Sequence, residues 1–362
     1  MTAPSFVRNV VRTCLRIGPG DSVSIFTWRH TLDLAEAFAL ECQKAGAKTH
    51  LEIETDELYY QAVLDLPIKY LKGPNPFSLA LLDVATANIF LAGPENPERL
   101  KRISPERMSA MVEADKPYNN KLLERKIRSA HIVSGYVTPQ RAKTYGFDYD
   151  KWKRNILAAI DVDYNHMREL GKKVGERLEE ASEIRITADN GTDLTLALEG
   201  RDSHVNDGVI DDEDIKKGAI FTALPAGNVA VAPKERSARG IFLSDIPEPD
   251  AGLLIRDLAL RFEGGKLVSL EGSQNAEAMK ARWVKARGDK DQASWLIVGL
   301  NPAAQEGYVY NKIILGSVTL GIGDNREIGG KMESDFGAHC TVGKPSVDLD
   351  GKRFVDRGKF VF

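Results

Sequence analysis

Cysteine is scarce: three residues in 362, Cys14, Cys42 and Cys340, an odd set with no Cys-x-x-Cys spacing. That excludes a disulfide framework and a thiolate zinc site, and it makes a reducing cytoplasmic location the expectation. Neither sign of charge dominates, since 49 Lys plus Arg stand against 52 Asp plus Glu for a formal net charge of −3. A nucleic-acid binder would carry a basic excess or stripe, so no nucleic-acid partner is expected. Long apolar runs are missing too. No stretch approaches the ~18 residues a membrane helix needs, and MTAPSFVRNVVRTCLRI lacks the continuous apolar core of a secretory signal. Histidine is thin: six residues at 30, 50, 131, 166, 204 and 339, with no HxxxH or HxH pair. That is a weak basis for a histidine-rich metal site. A Walker loop, a GxGxxG after a strand, a GxSxG elbow and an HExxH helix are all absent.

What is present is a chain 43% hydrophobic and 28% charged, sufficient for a full core. Its length suits roughly two domains at about 150 residues each. The first part alternates helix and strand. Apolar residues at helical spacing fill 6–15, Gly18-Pro19-Gly20-Asp21 breaks the helix, and 22–26 reads as a strand. A helix over 32–45 ends at Gly46, and strands follow at 49–53 and 88–92. This predicts an open α/β domain over 1–145 with a parallel sheet. Tyr145-Gly146-Phe147-Asp148 reads as the boundary, followed by a helix over 161–181. Beyond 184 the texture turns to short strands between Gly, Asn and Asp turns, predicting a β-rich α+β domain over 146–362.

Polar side chains crowd the last third: Tyr308, Tyr310, Asn311, Lys312, Thr319 and Asp324 precede Asn325, Glu327, Lys331, Ser334, Asp335 and His339. Such density among glycine turns marks a candidate site with a small-molecule or peptide partner, and His339 is its natural proton-transfer group. Gly321 and Gly323 read as tight-turn glycines, because no helix follows them as a phosphate cradle requires.

Several segments are similar to the thermophilic metallo-aminopeptidases (the aminopeptidase T/S family). Thr222-Ala223-Leu224-Pro225-Ala226-Gly227-Asn228-Val229 through Ala232-Pro233 resembles their "NLPxGEVxxAP", and Gly191-Thr192-Asp193-Leu194-Thr195 their "GTDLT". Phe262-Glu263-Gly264-Gly265-Lys266, Gly299-Leu300-Asn301-Pro302 and Leu315 to Asn325 follow in the family's order. The resemblance implies an aminopeptidase T-like fold, a homodimer and a paired-metal site. Mapped onto this chain, the two family glutamates fall on Asn228 and Trp295, the "VHIALG" histidine on Thr319, and the "HxD" on His339-Cys340-Thr341. Only His339 remains of that ligand set. The related 2,5-dihydroxypyridine dioxygenases hold one non-haem iron by His, His and Asp, and at the matching positions this chain again keeps only His339. No metal or other cofactor is therefore expected, and Lys312 stands where many relatives carry an acidic "DEK" segment.

The expectation is a metal-independent enzyme acting on a small polar or aromatic acid or amide. His339 would serve as base or acid, and Lys312, aided by Arg239 and Lys234, would hold an anion. Trp295, Tyr308 and Tyr310 would wall the site, with Asn228, Thr319 and Thr341 as hydrogen-bond partners. Cys340 ranks below His339, since neighbours on a strand face opposite ways. The alternatives are an aminopeptidase using other ligands such as Glu235, Asp245 or Glu327, an iron ring-cleaving dioxygenase, and a non-catalytic binding protein.

Overall fold

Short segments rich in Val, Ile and Ala, buried on both faces, form a parallel sheet in the first part of the chain. The computed structural model describes residues 4–250, 253–308 and 310–362. The sheet runs Lys48–Glu54, Ser22–Trp28, Ala87–Leu91, Arg128–Ile132, Phe221–Leu224, every neighbouring pair parallel. The helix Leu32–Lys44 crosses between the first two strands of the chain and buries Ala35, Phe38, Ala39 and Cys42. Gly46, at φ 92°, supplies the left-handed residue that lets the chain turn into the next strand.

The chain divides into two compact units. The first runs to Asp161 and adds Gly208–Pro225; the second comprises Val162–Asp207 and Ala226–Phe362. The division expected at residue 145 thus differs from the observed one for a local reason. Gly146 is the left-handed cap of the helix Pro139–Tyr145, and Asp148 caps the helix Tyr149–Ile160. Those punctuation residues mark a break between two helices of one unit. Trp152, Ile156 and Ile160 of the second helix are buried there.

The second unit holds an eight-stranded and a five-stranded sheet. The five-stranded one runs Ala338–Val342, Val318–Ile322, Ala293–Gly299, Asn228–Val231, Ser203–Asn206, all antiparallel. One of its faces is apolar, with Val318, Leu320, Val298 and Val342 buried. The other face carries Thr319, His339 and Thr341 on its first two strands, and Trp295, Ile297 and Ala230 on the next two.

Candidate functional site

Cross-strand register alone assembles the polar part of that face. Thr319 lies opposite Thr341 and Gly321 opposite His339, while Trp295 lies opposite Gly321 on the other side. Directly opposed residues of an antiparallel pair share a face. Cys340 falls on the apolar face, wholly buried, where burial first and the Glu248 charge second raise its thiol pKa. It is no thiolate nucleophile there.

Gly321 sits inside the Val318–Ile322 strand, which corrects its assignment to a turn. A Cβ at this position would come 2.8 Å from the Cβ of Trp295 and 3.0 Å from Cδ2 of His339. The His339 ring therefore packs over bare backbone, edge-on to Trp295 with centroids 6.5 Å apart.

Thr319, His339 and Thr341 floor a cavity of about 240 Å³. Its remaining polar walls are Glu248, Asp250, Tyr310, Asn311 and Lys312. Glu248 is the residue that sequence reasoning missed. It lies on the short strand Glu248–Asp250, and no motif or spacing singles it out. Thr341 Oγ1 donates to its Oε1, and Asn311 Nδ2 donates to its Oε2 at 3.1 Å and to the Pro247 carbonyl at 2.9 Å. While the carboxyl is ionised Thr341 gives its one proton to Glu248, so Thr319 is then the donor in the 2.8 Å hydroxyl contact between the two threonines. A relay of Thr319, Thr341 and Glu248 results.

Burial lifts the Glu248 carboxyl to about 7, against the opposing pull of Thr341, Asn311 and Lys312. The Lys312 ammonium is lowered by burial and partly restored by Glu248 and Glu327. His339 opens onto the cavity but is hemmed in by protein, and this crowding together with the Lys312 charge pushes its imidazolium down to about 4. At neutral pH the site thus presents a neutral imidazole and a carboxyl close to half ionised.

Five of the expected site residues, His339, Lys312, Tyr310, Thr319 and Thr341, line this cavity. Trp295 does not. Its indole N–H donates to the Asp324 carbonyl at 2.7 Å, and its ring packs on Ala230, Ala232, Ile297 and Ile328, so it backs His339. Asn228 is buried on another strand of the same sheet, Tyr308 is half-buried, and neither lines the cavity. Arg239 is exposed on the strand Arg239–Leu243 of the eight-stranded sheet and does not line the cavity. Lys234 pairs with Glu199 at 2.6 Å, Glu235 pairs with Arg201, and Asp245 accepts the Gly343 N–H at 2.8 Å. Glu327 is exposed and acts on Lys312 only through its charge.

A paired divalent centre needs several hard anionic donors on one spot. Among the described residues no group of three or more His, Cys, Asp or Glu converges in that way. The cavity offers one imidazole and two carboxyls that burial raises in pKa, Glu248 and Asp250, the second already paired to Arg282, with an ammonium alongside. This donor set does not fit two divalent ions.

No curated protein sequence matches the chain. Solved structures do. Wild-type AmpT from Thermus thermophilus superposes with a TM-score of 0.76 at 17% identity, covering 99% of each chain. The 2,5-dihydroxypyridine dioxygenase of Pseudomonas putida KT2440 superposes with a TM-score of 0.66 at 16% identity, over 99% of this chain and 96% of that one. The expected fold class, an α/β part followed by a β-rich part in the aminopeptidase T-like arrangement, is the observed one. No helix among the described residues is long and apolar enough to cross a membrane. The thermophilic metalloprotease (M29) model matches residues 4–288, and the chain belongs to that family.

Proposed function

We propose that this protein is a metal-independent acid/base enzyme of the aminopeptidase-like superfamily, a cytoplasmic homodimer that hydrolyses or otherwise processes by acid/base chemistry a small polar or aromatic acid or amide. One observation carries the reading: Glu248, with a pKa of about 7, faces Lys312 and His339 across a cavity of about 240 Å³. A carboxyl poised near neutrality takes a proton from water or a hydroxyl and returns it to a leaving group. The base is therefore Glu248, with Thr341 and Asn311 fixing its two oxygens. Lys312 binds the substrate carboxylate or the oxyanion that develops at the attacked carbonyl. His339, neutral at pH 7, accepts a hydrogen bond from the substrate. Tyr310 and the Thr319–Thr341 pair complete the polar wall.

The test joins metal analysis of the purified protein to a screen of small acids and amides, with and without chelator. The expected result is substoichiometric metal, chelator-resistant turnover, and loss of turnover in Glu248→Gln and Lys312→Ala. About two bound ions per chain would restore the metallo-aminopeptidase reading. One iron would favour the dioxygenase. Turnover unchanged in Glu248→Gln, Lys312→Ala and His339→Ala alike would remove all three residues from the mechanism.

A further inference from the structure

A second cavity, of about 320 Å³, opens in the first unit, a volume suited to a small organic ligand. Its position follows from the strand order. From Ser22–Trp28 the chain moves to one side, to Lys48–Glu54, and then returns to the other, to Ala87–Leu91. At such a reversal the connections leaving neighbouring strands diverge, and a crevice opens beyond their carboxyl ends. The cavity is lined from there: His30 and Asp33 follow the first strand, Glu95 follows Ala87–Leu91, and Ser134 and Thr138 follow Arg128–Ile132.

These loops are tied together. His30 Nε2 meets the Gly135 carbonyl at 3.0 Å, and because a carbonyl only accepts, that nitrogen carries the hydrogen. Thr138 Oγ1 donates to the Glu95 carbonyl at 2.9 Å. Ala92, just past its strand, holds a left-handed backbone at φ 67°, and a Cβ on Gly135 would come 2.5 Å from the Cβ of Ala92. The close approach leaves the loop at Gly135 no slack beneath the cavity.

Charge selects the ligand. The helix Leu32–Lys44 starts at this cavity and by itself would favour an anion. Asp33 occupies its first turn, however, and with Glu95 opposes the single Lys153, leaving the lining at −1. Phe6, Leu34 and Ile156 supply apolar walls. We propose that this cavity binds a small organic amine with an aromatic or apolar body, its ammonium held by Asp33 and Glu95 and its body by Phe6 and Ile156. Every residue of its lining belongs to the first unit.

The test is calorimetric titration of the full chain with 2-phenylethylamine, 2-phenylethanol and 3-phenylpropionate. The amine is expected to bind saturably and about tenfold or more tighter than the alcohol, as one charge-assisted contact provides. The acid is not expected to bind. Asp33→Asn and Glu95→Gln, each assayed singly and checked for folding by circular dichroism, are expected to weaken the amine by a similar factor. Glu248→Gln is expected to leave it unchanged. Saturable binding by no probe, preference for the acid, indifference to both carboxylate variants, or loss of binding in Glu248→Gln would each overturn the proposal.

Discussion

A carboxyl lifted from 4.5 to about 7 resists ionising inside the folded chain, and Glu248 is such a group. The folded state holds its proton more tightly than the unfolded one, so its stabilising contribution is complete below pH ~4.5 and is lost as pH rises through about 7. The full shift corresponds to about 3 kcal/mol, an upper bound because the side chain keeps some contact with water. Glu248→Gln removes that dependence. The variant is expected to melt together with the parent at pH 4 and above it at pH 8, the gap opening between pH 4.5 and 7. Parallel melting curves across that range would show that Glu248 titrates normally. Turnover of any substrate found should fall by about 10² to 10⁴ in the same variant, as for loss of a general base. His339 titrates in the opposite sense: its imidazolium is depressed to about 4, so stability tied to it is present above pH ~6.5 and lost as pH falls through 4. His339 and Lys312 were legible as candidates because their side-chain chemistry is visible in any sequence. Glu248 was not, because its raised pKa comes from burial in the folded chain and its hydroxyl partner Thr341 lies 93 residues away, and no local pattern encodes either.

Strands with one wet face announce themselves by alternation, as Glu183–Thr187 and Ser346–Leu349 do, and they made the β-rich texture beyond 184 legible. Ala293–Gly299 was not anticipated, because six of its seven residues are buried and no period of two survives. It nevertheless carries Trp295 into contact with His339 across Gly321. Gly321→Ala tests that packing: the added methyl must displace His339 or Trp295, at a cost of about 1 to 3 kcal/mol. A drop in melting temperature with a shifted imidazole resonance of His339 is expected, and an unchanged resonance would show that the ring does not rest on Gly321. The other informative element is an edge. Lys48–Glu54 pairs along its whole length with Ser22–Trp28 and with no other described strand, and Leu51 and Ile53 are exposed on it. Laid antiparallel against a second copy about Leu51, it sets Lys48 opposite Glu54 of that copy and His50 opposite Glu52, so the strand is charge-complementary to itself. The proposed homodimer is expected to use this edge. In sedimentation velocity Lys48→Glu should weaken it and the charge swap Lys48→Glu with Glu54→Lys should restore it, whereas a dimer indifferent to both would need another interface.

At the scale of the whole molecule the first unit is discontinuous, and that has a mechanical consequence. The chain leaves it after Asp161 and returns only for Gly208–Pro225, which supplies Phe221–Leu224, the last strand of the parallel sheet. This strand pairs with Arg128–Ile132 from Ser129 to Ile132, and just before it Ile220 is buried against Leu82, Leu122 and Ile127. Composition and turn signals could not reveal this, since a single strand returned from a distant segment leaves no boundary signature. A chain cut at 161 would lose the burial of Ile220 and Leu224, about 1.5 to 3 kcal/mol each. Losing its paired backbone hydrogen bonds would cost about 1 kcal/mol apiece more. The sum approaches the whole 5 to 15 kcal/mol of a typical domain. Residues 1–161 alone should therefore give a compact state that binds a hydrophobic dye and melts without a cooperative transition. The same residues joined through a Gly/Ser linker to 208–225 should regain a sharp melt, because the linker adds only a small closure entropy while the strand returns its burial and its hydrogen bonds. Equal, cooperative melting of the two chains would mean that the four-stranded remainder is self-sufficient and that the returning strand contributes nothing the unit requires.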